Sequence, residues 1–341
     1  MQHARLADNP RRALIAALTG EAAGIAVETS GSTGEPREVL IDTDAVIASA
    51  RATTARLGGP GSWLLSIPPK RIGGALVIAR TYVDGTELLT RPSSLSNVEE
   101  FAAAARELEG RRRYTSLVPT QVVRFAQTPQ GRTALASFDA VLVGGAPLPP
   151  LDLDANLIST YGATETCGGC VYDGVPLDGV DVAVVDGVVR VAGPTLAQGY
   201  ADGDDSAFVT EGDERWWVTP DIGTWDGSML EVHGRVDDAI NTGGFKAHPA
   251  RLERALDALP YVSRAAVAGV ADPEWGERVT AWVVPASGMP SLKEVREDLK
   301  PLLTHLYDLP RELRIVEELP LTEGGKIDRR AMRTLAAGEE Q

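Results

Sequence analysis

Hydroxyl side chains and glycines crowd together in Thr29-Ser30-Gly31-Ser32-Thr33-Gly34-Glu35-Pro36-Arg37. Glycine lets a backbone approach a ligand closely, and the hydroxyls and free N–H groups can then wrap a polyphosphate, with Arg37 adding charge. The G-x-x-x-x-G-K-[ST] spacing is absent, so this is not a P-loop of the NTPase kind. A second segment is Tyr161-Gly162-Ala163-Thr164-Glu165-Thr166, which follows the strand-like run NLIST. Its tyrosine ring can stack on a purine, its threonine can donate to a phosphate, and Glu165 can hold Mg²⁺ as a hard oxygen ligand. Asp221 in WVTPDIG offers a carboxylate able to accept two hydrogen bonds, which suits a ribose diol. Further along come Gly234-Arg235-Val236-Asp237-Asp238 and Thr242-Gly243-Gly244-Phe245-Lys246. Last is Leu321-Thr322-Glu323-Gly324-Gly325-Lys326-Ile327-Asp328-Arg329, a lysine on a Gly-Gly loop. Taken singly, each segment also reads as a polar surface turn, a solvated loop or a flexible tail.

The elements that must position these residues alternate over 61–162. WLLSIP (63–68) reads as a strand and is followed by a helix-like stretch through Ile78. TELLT (86–90) reads as a strand, and NVEEFAAAARELEG (97–110) has helical period with Gly110 as its stop. YTSLV (114–118), a helix opened by Pro119 and the apolar strand AVLVG (140–144) continue the alternation. That pattern predicts an α/β layer with a mostly parallel sheet. After Tyr161 it changes. Asp186-Gly187 lies between two apolar runs, a strong hairpin signal, and RWWVT and SMLEVHGR read as further short antiparallel strands. From Asp237 onward, HPARLERALDAL reads as a helix, ERVTAWVVPA as a strand and SLKEVREDLKPLLTHLY as another helix. The expected architecture is α/β: a large amino-terminal domain with mixed sheets at 1–236 and a small α+β domain at 237–341.

With 341 residues, two domains are the natural expectation. Hydrophobic residues make up 43% of the chain, enough for a sizeable core. The net charge of −15 disfavours nucleic acid and anionic membrane as partners, because both require basic surface. Two cysteines are too few for a secreted disulfide framework. The amino terminus lacks the apolar core and small-residue cleavage pattern of a signal peptide, and no apolar run reaches the roughly 18 residues that span a membrane. These features predict a cytoplasmic protein acting on small molecules.

In order along the chain, these segments resemble the adenylate-forming superfamily of acyl-CoA synthetases, peptide-synthetase adenylation domains and luciferases. The resemblance runs from Thr29 to Lys326. It implies that the chain uses ATP and Mg²⁺ to convert a carboxylate to an acyl-adenylate and then hands the acyl group to a thiol, with CoA as cosubstrate. Residue by residue, it implies that Thr29 and Ser30 through Gly34 (Gly31, Ser32, Thr33 included) form the phosphate loop. Gly144, Gly145 and Ala146 would lie against adenine, with Tyr161 on its other face. Thr164 would contact the α-phosphate, Glu165 would hold Mg²⁺, and Asp221 and Arg235 would hold the ribose. Asp237 falls at the family's interdomain hinge, Lys326 matches the lysine of the adenylation step, and Gly243 and Gly244 match the loop that lines the pantetheine tunnel.

The run Thr164 to Leu177 and the short chain also resemble the compact actinobacterial o-succinylbenzoate–CoA ligases of menaquinone synthesis. That substrate carries a second carboxylate. Lys70 and Arg71 sit at the acyl-pocket position together with Gly73 and Gly74, and would read it; the alternative for the cation pair is a solvated loop. Small residues after Glu165, Gly168 among them, would leave room for an aromatic ring. The sequence departs from the family in beginning its phosphate loop close to the amino terminus, so the expected fold is shortened there, and a homodimer contact is left open as the compensation. Cys167 and Cys170 form half a structural zinc site at most and are expected to pack as small residues. Another aryl- or acyl-CoA synthetase, or an adenylation enzyme that loads a carrier protein, is the alternative activity.

Overall fold

The computed structural model describes residues 1–29, 37–91, 95, 97–288, 290–303, 305–321 and 327–339. The chain forms two compact units. The first comprises Met1–Val185, Val189–Thr219 and Trp225–Glu231; the second comprises Asp186–Val188, Pro220–Thr224 and Val232–Gln341.

A seven-stranded sheet organises the first unit. Its order is Val175–Pro176, Gly168–Tyr172, Leu157–Ala163, Ala140–Gly144, Arg113–Leu117, Ser62–Leu64, Leu88–Leu89. From Leu157–Ala163 to Leu88–Leu89 neighbouring strands run parallel, and Gly168–Tyr172 folds back antiparallel on Leu157–Ala163. Ala140–Gly144 is buried over its first four residues, as its unbroken apolar run requires. Helix Val98–Glu107 covers this sheet. Asn97 caps it by accepting from the Glu99 amide at 2.7 Å, and Glu99 and Glu100 place negative charge in its first turn. Its buried face carries Phe101, which stacks on Phe125 at 4.4 Å between ring centroids. Burial of each such ring contributes about 2–3 kcal/mol.

Helix Ile72–Asp84 runs a turn and a half beyond the expected end at Ile78. Gly85, at φ 64°, closes it in the left-handed cap that glycine adopts without strain. The expected strand at 86–90 is reduced to Leu88–Leu89. A four-stranded sheet of Ala4–Arg5, Gly24–Glu28, Glu38–Asp42 and Gly199–Tyr200 packs Ile25, Val27, Val39 and Ile41 into a common core with Leu76 and Cys167. Cys167 and Cys170 are both free and buried, and burial pushes each thiol up to about 12.

The expected hairpin at Asp186-Gly187 forms between Asp181–Val185 and Val188–Ala192. Both turn residues have positive φ, 51° and 80°, as a type I′ turn demands. RWWVT belongs to a longer strand, Glu214–Trp225, on which Leu230–Arg235 pairs.

A five-stranded sheet organises the second unit, with the long strand Gly276–Pro285 at its centre and Val262–Asp272 paired antiparallel along one side of it. Helix Pro249–Asp257 buries Leu252, Ala255 and Leu256 against it. Helix Leu292–Leu299 opens with a reciprocal Ser291/Glu294 capping box. It stops well short of the expected end near Tyr307, because Pro301 lacks the amide that would continue the ladder; Leu306–Asp308 forms a separate 3₁₀ turn.

Candidate active site

The carboxyl ends of the parallel strands gather several of the residues singled out above. Register aligns Leu64 with Thr115, Leu117 with Val143 and Gly144 with Thr160. The loops leaving Ser62–Leu64, Ala140–Gly144 and Leu157–Ala163 therefore open at one edge of the sheet, where ligands of α/β folds are bound. Gly144, Gly145 and Ala146 leave one strand there, and Tyr161 lies near the end of its neighbour, Leu157–Ala163. A Cβ on Gly144 would lie 2.5 Å from Thr160 Oγ1, so only a bare backbone passes.

The Thr164–Cys167 turn joins Leu157–Ala163 to Gly168–Tyr172. Thr166 clamps it: its hydroxyl accepts from the Ala163 amide at 2.9 Å and reaches the Gly168 carbonyl at 2.8 Å. Ser49 donates to the Cys167 carbonyl at 2.9 Å. Gly168 follows at φ 81°, with its α-carbon facing Leu76. A Cβ there would lie 2.3 Å from Leu76 Cδ1, which explains the small residue. The half-buried Glu165 side chain accepts from the Tyr200 hydroxyl at 3.0 Å, and its carbonyl accepts from the Ala197 amide at 2.8 Å.

The loop bearing Lys70 and Arg71 is anchored at its base. Gln121 donates to the Ser66 carbonyl at 2.9 Å, and the Ser66 and Thr115 hydroxyls meet at 3.0 Å. Gly73 and Gly74 begin the following helix; a Cβ on Gly74 would lie 2.4 Å from the Pro68 carbonyl oxygen. Lys70 and Arg71 are both exposed, and Arg71 Nη1 donates to the Glu28 carbonyl at 3.3 Å, next to Thr29. Thr29 and Arg37, which flank the segment expected to bind phosphate, hold each other: the Thr29 amide donates to the Arg37 carbonyl at 2.8 Å, and the Arg37 amide donates to Thr29 Oγ1 at 3.0 Å. Ser30, Gly31, Ser32, Thr33 and Gly34 lie outside the described residues, as does Lys326.

In the second unit, Val236 donates to the Pro220 carbonyl at 2.8 Å, which brings the Asp221 and Arg235 segments side by side. Arg235 Nη2 lies 3.9 Å from the exposed Asp237 carboxylate. Gly243 and Gly244, at φ 59° and 82°, make the two-residue turn between Ile240–Thr242 and Phe245–Ala247. A cleft of about 500 Å³ opens beside this turn. Phe245, Tyr307 and His305 stack in series along it, at 5.0 and 4.8 Å between centroids. The Arg311 guanidinium lies over the Trp275 ring at 3.4 Å. Trp275, His305, Tyr307 and Arg311 were not expected from the sequence, since spacing alone carries no signal for side chains brought together from separate segments.

Among the described residues, no group of three or more His, Cys, Asp or Glu gathers to cage a metal. Glu165 offers a single carboxylate. That donor set fits Mg²⁺, which keeps several waters and takes nucleotide phosphates alongside one or two carboxylates.

Residues 27–201 match the AMP-binding enzyme family, and residues 251–326 match the AMP-binding enzyme C-terminal domain. The chain is 42% identical over 330 residues to a probable 2-succinylbenzoate–CoA ligase of Mycobacterium tuberculosis, covering 92% of this chain and 85% of that protein. It is 27% identical to the 2-succinylbenzoate–CoA ligase of Enterococcus faecalis, covering 88% of this chain and 67% of that protein. The o-succinylbenzoate–CoA synthetase structure from Bacillus subtilis, in complex with its acyl-adenylate, superposes with a TM-score of 0.75 at 24% identity. That match covers 91% of this chain and 68% of that one, and establishes a common fold. The match to the AMP-binding family over more than half of the sequence, together with the identity to the mycobacterial protein, shows that the chain belongs to the AMP-binding enzymes.

Proposed function

We propose that the chain is an AMP-forming acid–CoA ligase that converts o-succinylbenzoate to o-succinylbenzoyl-CoA. The observation that carries this reading is the 42% identity, over nearly the whole chain, to a protein named for that reaction. In the first step a carboxylate oxygen attacks the α-phosphorus of ATP, the bond to the β-phosphate bridging oxygen breaks, and pyrophosphate leaves. In the second, the CoA thiolate attacks the acyl carbonyl and AMP leaves.

Under this reading the Thr164 hydroxyl donates to the α-phosphate, and Tyr161 and the Gly144–Ala146 backbone sandwich the adenine. Asp221 and Arg235 bind the ribose. Glu165 holds Mg²⁺, which offsets charge developing on the phosphates. The phosphate loop from Thr29 through Gly34 and Lys326 are assigned to the adenylation step, Gly243 and Gly244 to the thiol-transfer step, and Asp237 to the hinge between domains at 1–236 and 237–341. The stacked rings beside Gly243 suit the planar and apolar parts of CoA. No described helix is long and apolar enough to cross a membrane; a cytoplasmic location, small-molecule substrates and a homodimeric state complete the proposal.

The test is pyrophosphate release with ATP, Mg²⁺, CoA and a panel of acids. Turnover is expected with o-succinylbenzoate and not with simple benzoates or fatty acids; an equal response to all would remove the substrate assignment. Arg71, whose guanidinium is exposed beside the Thr29 strand end, is proposed to read the second carboxylate. Arg71→Leu is expected to raise KM for the dicarboxylate about tenfold, the scale of one charge-assisted hydrogen bond. KM for a monocarboxylate should stay put, and an equal rise for both would show that Arg71 does not read it.

A further inference from the structure

Glu165 is held by a residue that lies far from it in sequence. Gly199–Tyr200 forms a short strand on Glu38–Asp42, with Tyr200 opposite Val39. This places the Tyr200 hydroxyl 3.0 Å from Glu165 Oε1. The Trp217 indole lies close to the same phenol. An ionised carboxylate is only an acceptor, so the phenol's proton is committed to Glu165. Both aromatic residues are buried, Tyr200 at 8% exposure and Trp217 at 4%.

The ring itself is clamped. Arg37 lies over it, with the guanidinium carbon 3.6 Å from the centroid. Arg37 is fixed in turn: Nε and Nη2 donate to the two oxygens of Asp202, each at 2.9 Å, and Nη2 also donates to the Asp204 carbonyl at 2.9 Å. The Tyr200 amide donates to Asp205 Oδ1 at 3.0 Å. The charge expected from the sequence to serve the phosphates is therefore engaged elsewhere. Arg37 works here as a flat, forked group, a role in which lysine is a poor substitute.

We propose that Tyr200, braced by Arg37, is a positioning residue that fixes the Glu165 carboxylate for Mg²⁺. This rests on the assignment of Glu165 as the metal ligand. A donor to the far side of a ligating carboxylate sets its orientation, and loss of such a partner weakens metal binding about tenfold or more.

The test measures binding, not turnover. Calorimetric titration of a non-hydrolysable ATP analogue at graded Mg²⁺ concentrations would be run on the full chain and on Tyr200→Phe, Arg37→Lys and Glu165→Gln, with metal-free AMP as the control ligand. Tyr200→Phe is expected to raise the half-saturating Mg²⁺ concentration about tenfold and leave AMP affinity unchanged. Arg37→Lys should shift it in the same direction, by about threefold, although the charge is kept. If Glu165→Gln shifts the metal dependence and neither other variant does, the positioning role is wrong and the metal assignment survives. A native metal dependence in Glu165→Gln removes both. Should Tyr200→Phe melt below the titration temperature, Arg37→Lys decides the matter by the same criterion.

Discussion

Replacing Lys326 with alanine is expected to slow acyl-adenylate formation by about a hundred- to a thousandfold, the usual effect of removing one group aimed at developing charge. Attack of a carboxylate on the α-phosphate brings two anions together, and the proposed role of this lysine is to offset that repulsion. Thiol transfer imposes no such demand, because the adenylate carbonyl is already activated and its leaving group is already made. The variant should therefore consume supplied acyl-adenylate and CoA at close to the native rate. Pyrophosphate exchange would report the first step, and thioester formation from purified adenylate the second. Equal losses in both, in a protein with native melting behaviour, would show that one arrangement of groups serves both steps and would remove the hinge assignment of Asp237.

Glu253→Ala should destabilise the chain by about 2–4 kcal/mol, because two donors lose the acceptor of three hydrogen bonds at once. Arg329 Nη2 donates to both Glu253 oxygens, at 2.6 and 2.9 Å, and the Val267 amide donates at 2.8 Å. Arg329 also donates through Nε to the Val267 carbonyl at 3.0 Å. This fork sits at the root of the segment that carries Lys326. Leu321 bridges Ile327 in antiparallel fashion, and the Asp328 amide donates to the Pro320 carbonyl at 2.9 Å. Asp328 Oδ1 then accepts from the Ala331 amide at 2.9 Å and starts helix Arg329–Glu339. Glu253→Gln keeps an acceptor for Val267 and should lose less. Chemical denaturation of the intact protein measures the difference; a Glu253→Ala variant as stable as the parent would show that the fork contributes nothing.

The parts of the fold legible in the sequence were those encoded locally. The apolar run at Ala140–Gly144 and the Asp186-Gly187 turn each carry their own signal within a few residues. Helix ends were harder, since Gly85 and Pro301 decide them and periodicity fades before either is reached. Within the site, the order of the motifs pointed to Tyr161, Thr164 and Glu165. Tyr200 was invisible, because its contact with Glu165 spans 35 residues and depends on which strand pairs with Glu38–Asp42. Arg37 looked like a phosphate cation for the same reason: its partners, Asp202 and Asp204, are supplied by a distant loop.

An enzyme of the proposed kind makes an acylating agent inside its own fold, and sulfur is the side-chain atom most prone to intercept one. Both cysteines are shut away from solvent, with thiols raised to about 12, so at neutral pH almost none of either exists as the nucleophilic thiolate. The activated acyl group can thus await an external thiol without being drained onto the protein itself, and maleimide or iodoacetamide reagents should leave the native enzyme unlabelled.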